Sequence, residues 1–292
     1  MFTGCMTALV TPFSAGDVDY RALADLVEMQ VAGRVQALVP CGSTGEAATL
    51  THDEQAEVVR AVIKLARKRV PVIAGSGSNS TAEAVRLTRA AEEAGADAAL
   101  LISPYYNKPT QEGIYRHYAA VAEATRLPLI VYNIPGRTAS NLTPETIGRL
   151  SAIKNIVGIK EASGSLAQVI EIIEASAPEF AVYAGDDIMT VPIMAVGGKG
   201  VISVTANVMP REMAELAEAL LENDLQRGRA RMHELLPIVR ALTMSFEVNP
   251  IPVKTALAIM GTCAEEFRLP LTCMSGPNRE KLEAVLREYD LV

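Results

Sequence analysis

The chain has 292 residues, 49% of them hydrophobic, and a formal net charge of -7. This length suits one large α/β domain, or one domain with an appendage. The negative balance and the scatter of Lys and Arg leave no basic stripe, which excludes nucleic acid and anionic membrane as partners and leaves small anionic substrates open. Cys5, Cys41, Cys263 and Cys273 form no CxxC and no metal-ligand spacing. They read as reduced thiols of a cytoplasmic protein. The N-terminus has no basic segment followed by an apolar one, and the apolar runs are short, so neither a secretory leader nor a membrane span is expected.

Strand-like and helix-like segments alternate along the chain. Met6–Val10 is the first apolar run, closed by Thr11-Pro12, and Tyr20–Val31 follows with helical spacing. Ala37–Pro40 predicts a second strand, and Thr51 with Glu54 makes a capping box for a helix through Leu65. Val70–Ala74, Ala98–Ser103 and Leu129–Tyr132 predict the next three strands. The helices between them run from Ser80 to Ala94 and from Gln111 to Ala124. Thr143-Pro144 starts a short helix. Asn155–Glu161 is the sixth strand, Phe180–Ala184 the seventh and Val201–Val204 the eighth, with helices over Leu166–Ala175, Ile188–Val196 and Pro210–Leu221.

Eight strand-then-helix units of roughly 25 to 35 residues predict an α/β fold of the (β/α)8 TIM-barrel type. An open doubly wound sheet is the alternative, but no glycine fingerprint follows the first strand. Helical spacing continues over Leu225–Leu242, Pro252–Met260 and Asn278–Tyr289. The division expected is therefore a catalytic barrel over 1–223 and a C-terminal helical domain over 224–292.

In such a barrel the chemistry sits at the C-terminal ends of the strands. Hydroxyls, phenols and one lysine dominate there: Thr11, Ser43-Thr44, Ser76, Ser78, Tyr105-Tyr106, Tyr132, Lys160 and Asp186. A lysine at the end of a buried strand loses its charge easily and becomes a nucleophile able to form a Schiff base. The alternative is a solvated lysine already in the loop. Tyr132 could relay a proton or fill the barrel. Gly42-Ser43-Thr44-Gly45 could cradle a carboxylate or form an ordinary turn, and Arg137 could clamp a second carboxylate or stay solvated. His52, His117 and His233 fall within predicted helices or at their starts, so no metal centre is expected. Asp186-Asp187 reads as a helix cap before a ligand pair.

Seven stretches match one family. They are Ala8–Phe13, Gly42–Glu46, Pro104–Pro109, Tyr132–Thr138, Gly158–Ala162, Gly185–Asp187 and Asn249–Lys254. In these the chain resembles the class I, pyruvate-dependent lyase/synthase family, collinearly and over nearly the whole length. The resemblance implies a Schiff base between Lys160 and pyruvate. It implies a proton relay of Tyr132, Thr44 and Tyr106, with Tyr106 reaching into a neighbouring subunit. It also implies that Arg137 holds the carboxylate of L-aspartate 4-semialdehyde, that Ser43 and Thr44 bind substrate, and that main chain near Gly185 and Ile202 lines the site. The implied product is 4-hydroxy-tetrahydrodipicolinate, on the way to lysine and diaminopimelate. The implied assembly is a homotetramer built as a dimer of dimers, with no cofactor.

Ser43 departs from the two threonines usual in the family's synthases. Gly-Ser-Thr-Gly-Glu is shared with its N-acetylneuraminate lyases, while Arg137 favours the synthases. A lyase of N-acetylneuraminate or of 2-keto-3-deoxy sugar acids is the alternative enzyme, and a non-catalytic barrel is the alternative outside enzymes. Lysine-sensitive members resemble the chain at His52, Asn79, Glu83 and Tyr105, which marks a candidate allosteric lysine site. Ala47 and Gln55 depart from the serine and histidine found there, so lysine inhibition is expected to be weak or absent.

Overall fold

The computed structural model describes residues 2–243 and 247–292. Among them, eight parallel strands form one sheet: β1 (Gly4–Ala8), β2 (Ala37–Val39), β3 (Ile73–Gly75), β4 (Ala98–Ile102), β5 (Leu129–Asn133), β6 (Ile156–Glu161), β7 (Ala181–Ala184) and β8 (Gly200–Ser203). Each strand pairs with its sequence neighbour, and β8 pairs back to β1 through Met6 and Ile202. The last seam, between β2 and β3, is closed by a parallel bridge of Leu38 with Val72. That closure makes the sheet a TIM barrel and removes the open doubly wound alternative.

Helices α1 (Tyr20–Ala32), α2 (His52–Ala66), α3 (Thr81–Ala94), α4 (Gln111–Glu123), α5 (Pro144–Ser151), α6 (Leu166–Ala175), α7 (Thr190–Ala195) and α8 (Pro210–Leu221) surround it. The starts of α2, α3 and α5 follow Thr51, Ser80 and Thr143 as read from the sequence. Thr51 accepts from the N–H of Glu54 while the Glu54 carboxylate accepts from the N–H of Thr51. Asp19, Ser80, Thr110, Thr143 and Ser165 cap five further helices by accepting from a first-turn N–H, without the reciprocal bond. Beyond the barrel lie α9 (Leu225–Leu242), α10 (Ile251–Ile259) and α11 (Gly276–Glu288).

Strand residues alternate between two cores. Met6, Val39, Ile73, Leu100, Ile130, Tyr132, Tyr183 and Ile202 point inward and fill the barrel. Leu38, Leu101, Val131, Ile159, Val182 and Val201 point outward against the helices. Lys160 follows outward Ile159 and therefore belongs to the inner layer. The first strand begins two residues earlier than its apolar run suggests. Gly4, at φ 90°, packs against Gly200, where an added Cβ would lie 2.1 Å from the Gly4 carbonyl oxygen. Such contact needs glycine rather than hydrophobicity, and periodicity does not register it. The third strand begins later than predicted because Pro71 has no N–H to pair.

Candidate active site

β5 and β6 run side by side, and their register sets Tyr132 opposite Lys160. The Lys160 amine lies 4.4 Å from the centre of the Tyr132 ring, and both residues are buried. Burial lowers the Lys160 pKa to about 8; Asp187 opposes that shift and Arg137 adds to it. Burial raises the Tyr132 phenol well above its ordinary value, with Arg137 and a hydrogen bond to the Ser43 side chain holding it back. The pair is therefore an amine close to neutrality beside a phenol that keeps its proton.

The turn after β2 belongs to the other side of the barrel, three strands from β5 in the sheet order. Thr44 is buried, and its Oγ1 accepts from the Asn249 amide at 3.0 Å. Gly45 is packed so closely that an added Cβ would stand 3.0 Å from the Cys41 nitrogen and from the Leu9 oxygen. Thr11 Oγ1 donates to the Gly45 carbonyl at 2.7 Å, which locks the turn to β1. Arg137 stands in the short helical turn Pro135–Thr138 and is exposed. Its Nη2 donates to the Asn249 carbonyl at 2.8 Å, which leaves most of its donors free for an anion.

Ser43, Tyr132 and Arg137 line a cavity of about 400 Å³. Gly185 and Ile202 do not line this cavity. The Gly185 N–H donates to Glu161 O at 2.8 Å, and Ile202 is fully buried in the inner core beside Tyr183 and Met6. Tyr106 is the outlier, 88% exposed on the loop after β4 with φ at 72°. Within one chain it does not join Tyr132 and Thr44. Among the described residues no group of three or more His, Cys, Asp or Glu is arranged to hold a metal ion.

The model of the Dihydrodipicolinate synthetase family matches residues 1–289. The chain belongs to this family. A curated relative, the 4-hydroxy-tetrahydrodipicolinate synthase of Geobacter metallireducens, is 54% identical over all 292 residues, covering both chains completely. The dihydrodipicolinate synthase of Aquifex aeolicus superposes with a TM-score of 0.98 at 47% identity over 99% of each chain. That of Acinetobacter baumannii, solved with pyruvate bound, gives 0.97 at 44% over 100% of each. No helix among the described residues is long and apolar enough to cross a membrane.

His52, Glu83 and Tyr105 line the same cavity. His52 is bonded to Arg86, and Glu83 accepts from Ser78 Oγ at 2.8 Å. Asn79 does not reach the cavity wall; its amide donates to the Tyr105 carbonyl at 3.1 Å and so anchors the Tyr105 loop. Gln55 and Ala47 also line the cavity, and Gln55 is buried with one N–H of its amide donated to Gly75 O at 2.8 Å.

Three features escaped the sequence reading. Asp186 is the helix cap, accepting from the Ile188 N–H, but Asp187 is not: its Oδ2 takes bonds from Val204 N, Thr205 N and Thr205 Oγ1 at the end of β8. Glu46 and Lys254 form a fully buried ion pair at 2.5 Å. Asn249, noted only as part of a matching stretch, touches both Thr44 and Arg137. The prolines that follow it, Pro250 and Pro252, were its one local signal, and they indicate a helix break rather than a contact.

Proposed function

We propose that the chain condenses pyruvate with L-aspartate 4-semialdehyde through a Schiff base on Lys160, giving 4-hydroxy-tetrahydrodipicolinate. The observation that carries this reading is a buried strand-end amine with its pKa lowered to about 8, facing the Tyr132 ring at 4.4 Å. Full-length identity to curated synthases of that name supports the choice of aldehyde.

The steps follow from the groups present. Neutral Lys160 attacks the ketone carbon of pyruvate. The carbinolamine must lose water, so a proton has to travel from nitrogen to the departing oxygen. The Tyr132 phenol carries it, oriented by Thr44. The resulting iminium acidifies the pyruvate methyl group, and loss of a proton there gives an enamine. The enamine carbon attacks the aldehyde carbon while Arg137 holds the substrate carboxylate. The substrate's own amine then attacks the imine carbon, closes the ring and releases Lys160.

The assignments of Ser43, Gly185 and Ile202 to the substrate wall, and of His52, Asn79, Glu83 and Tyr105 to a lysine site, belong to the same proposal. So do a barrel over 1–223 with an appendage over 224–292, a cytoplasmic setting suggested by four unpaired cysteines, and a homotetramer in which an exposed Tyr106 is covered by a neighbour. The test is mass-resolved product formation from pyruvate with the semialdehyde, run beside N-acetylmannosamine and with Lys160→Ala as control. Turnover of the semialdehyde, lost in Lys160→Ala, is expected. Turnover of the amino sugar alone would give the site to the lyase reading.

A further inference from the structure

We infer that Asn249 is the positioning residue of this site, its side-chain amide directing the Thr44 hydroxyl while its carbonyl holds the Arg137 guanidinium. The inference rests on the Schiff-base reading of Lys160 and assigns a residue that reading does not require.

A threonine hydroxyl has one proton to give and two lone pairs to receive with. Asn249 Nδ2 donates to Thr44 Oγ1 at 3.0 Å, so one lone pair is filled by a donor. The hydroxyl proton must then point elsewhere, and a relay through Thr44 acquires a direction. Asn249 Oδ1 is buried and has no partner among the described residues, so the bond to Thr44 is the amide's one contact there. On its other side, the Asn249 carbonyl accepts from Arg137 Nη2 at 2.8 Å. One residue thus joins the proton-relay half of the site to the carboxylate-binding half.

Position matters only if it is held, and here it is held twice. Glu46, two residues after Thr44, pairs with Lys254, five residues after Asn249, at 2.5 Å with both side chains fully buried. Lys254 also donates to the Glu266 carbonyl at 2.7 Å, and its main-chain N–H to Pro250 O at 3.0 Å. Gly45 leaves no room for sliding between the two anchor points. The first turns of α10, from Ile251 to Leu257, are buried throughout. Asn249 therefore meets Thr44 as a fixed donor rather than a mobile side chain.

The experiment compares the full-length wild type with Asn249→Ala, Asn249→Asp, Thr44→Val and Asn249→Ala/Thr44→Val. Asp keeps the shape and, when ionised, loses the donor. We expect kcat to fall about tenfold to a hundredfold in both Asn249 variants. The KM values for pyruvate and for the semialdehyde should change by less than about threefold, because the Asn249 carbonyl remains on Arg137 and the change falls on the chemical steps. In the Thr44→Val background, Asn249→Ala should cost less than about twofold, since the two residues act through one bond. The rate of borohydride trapping of pyruvate on Lys160 is read separately and should fall in the same proportion. Absence of any semialdehyde product from wild type would sink the substrate reading and leave the trapping rate to judge Asn249. A kcat and trapping rate within about twofold of wild type in both variants, or effects that simply add to those of Thr44→Val, would overturn the inference. So would failure of both variants to fold, which would make Asn249 a structural clasp.

Discussion

Changing the charges around Lys160 changes the pH at which it becomes a nucleophile. Burial lowers its pKa from the ordinary 10.5 to about 8. That shift leaves about one amine in ten neutral at pH 7, against roughly one in three thousand for a free lysine. Asp187 favours the ammonium and Arg137 disfavours it. Asp187→Asn is therefore expected to lower the midpoint, and Arg137→Ala to raise it. The assay is the initial rate of borohydride-trapped pyruvate on Lys160 across the pH range, with a wild-type midpoint near 8. The same shift has a consequence for stability. Because the folded-state pKa is the lower one, the unfolded chain holds more protons between about 8 and 10.5, and the contribution of Lys160 to stability rises with pH across that window. Below it the buried ammonium opposes folding by up to about 3 kcal/mol. Lys160→Met should be inactive and yet more stable than wild type at pH 7, the difference closing as pH approaches 10.5 in chemical denaturation. A wild-type midpoint at the free-lysine value, opposite shifts in the two variants, or a destabilised Lys160→Met would refute the reasoning.

Lys254→Met strands the Glu46 carboxylate in a fully buried site and should cost about 3–5 kcal/mol in chemical denaturation, whereas Glu46→Leu/Lys254→Met should recover most of it. Equal losses in the single and double variants would mean that packing, not charge, holds this junction. Tyr132→Phe keeps the ring beside Lys160 and removes the hydroxyl, so kcat should fall about a hundredfold or more with the unfolding midpoint retained; full activity would remove Tyr132 from the relay. Lysine should inhibit weakly or not at all, because Gln55 replaces the histidine, and Ala47 the serine hydroxyl, of lysine-sensitive members, and half-inhibition at concentrations comparable to the substrates' would show otherwise.

The barrel was legible because its information is local. Parallel strands buried on both faces read as short apolar runs, and the starts of α1 to α6 carry their caps within four residues. Leu166–Ala175, Pro210–Leu221 and Leu225–Leu242 match their predicted bounds. Tyr132 and Lys160 were found for the same reason, each standing at the end of its own strand. What was not legible is what crosses the chain. Thr44 and Asn249 are 205 residues apart, and Glu46 and Lys254 are 208 apart. No periodicity or spacing carries such a pairing. Asp187 was misread because two adjacent carboxylates before a helix look alike in sequence, and only the register of β8 decides which one caps and which one reaches Thr205.

Two buried lysines make the same point in terms of charge. Both follow apolar residues, Lys160 after Gly158-Ile159 in a strand and Lys254 after Pro252-Val253 in a helix. Burial lowers the pKa of each. Lys254 is compensated by a carboxylate at 2.5 Å, a carbonyl at 2.7 Å and the rings of Phe13 and Phe267. Its ammonium is needed to neutralise Glu46, so neutrality would leave a buried anion alone. Lys160 has no carboxylate paired with it among the described residues, and its amine faces the Tyr132 ring. Losing its proton relieves a cost instead of creating one, which is the condition for an amine that attacks carbonyls near neutral pH. The lysine proposed to react is thus the one without a paired carboxylate, and the paired one holds in place the segment that carries Asn249 to Thr44.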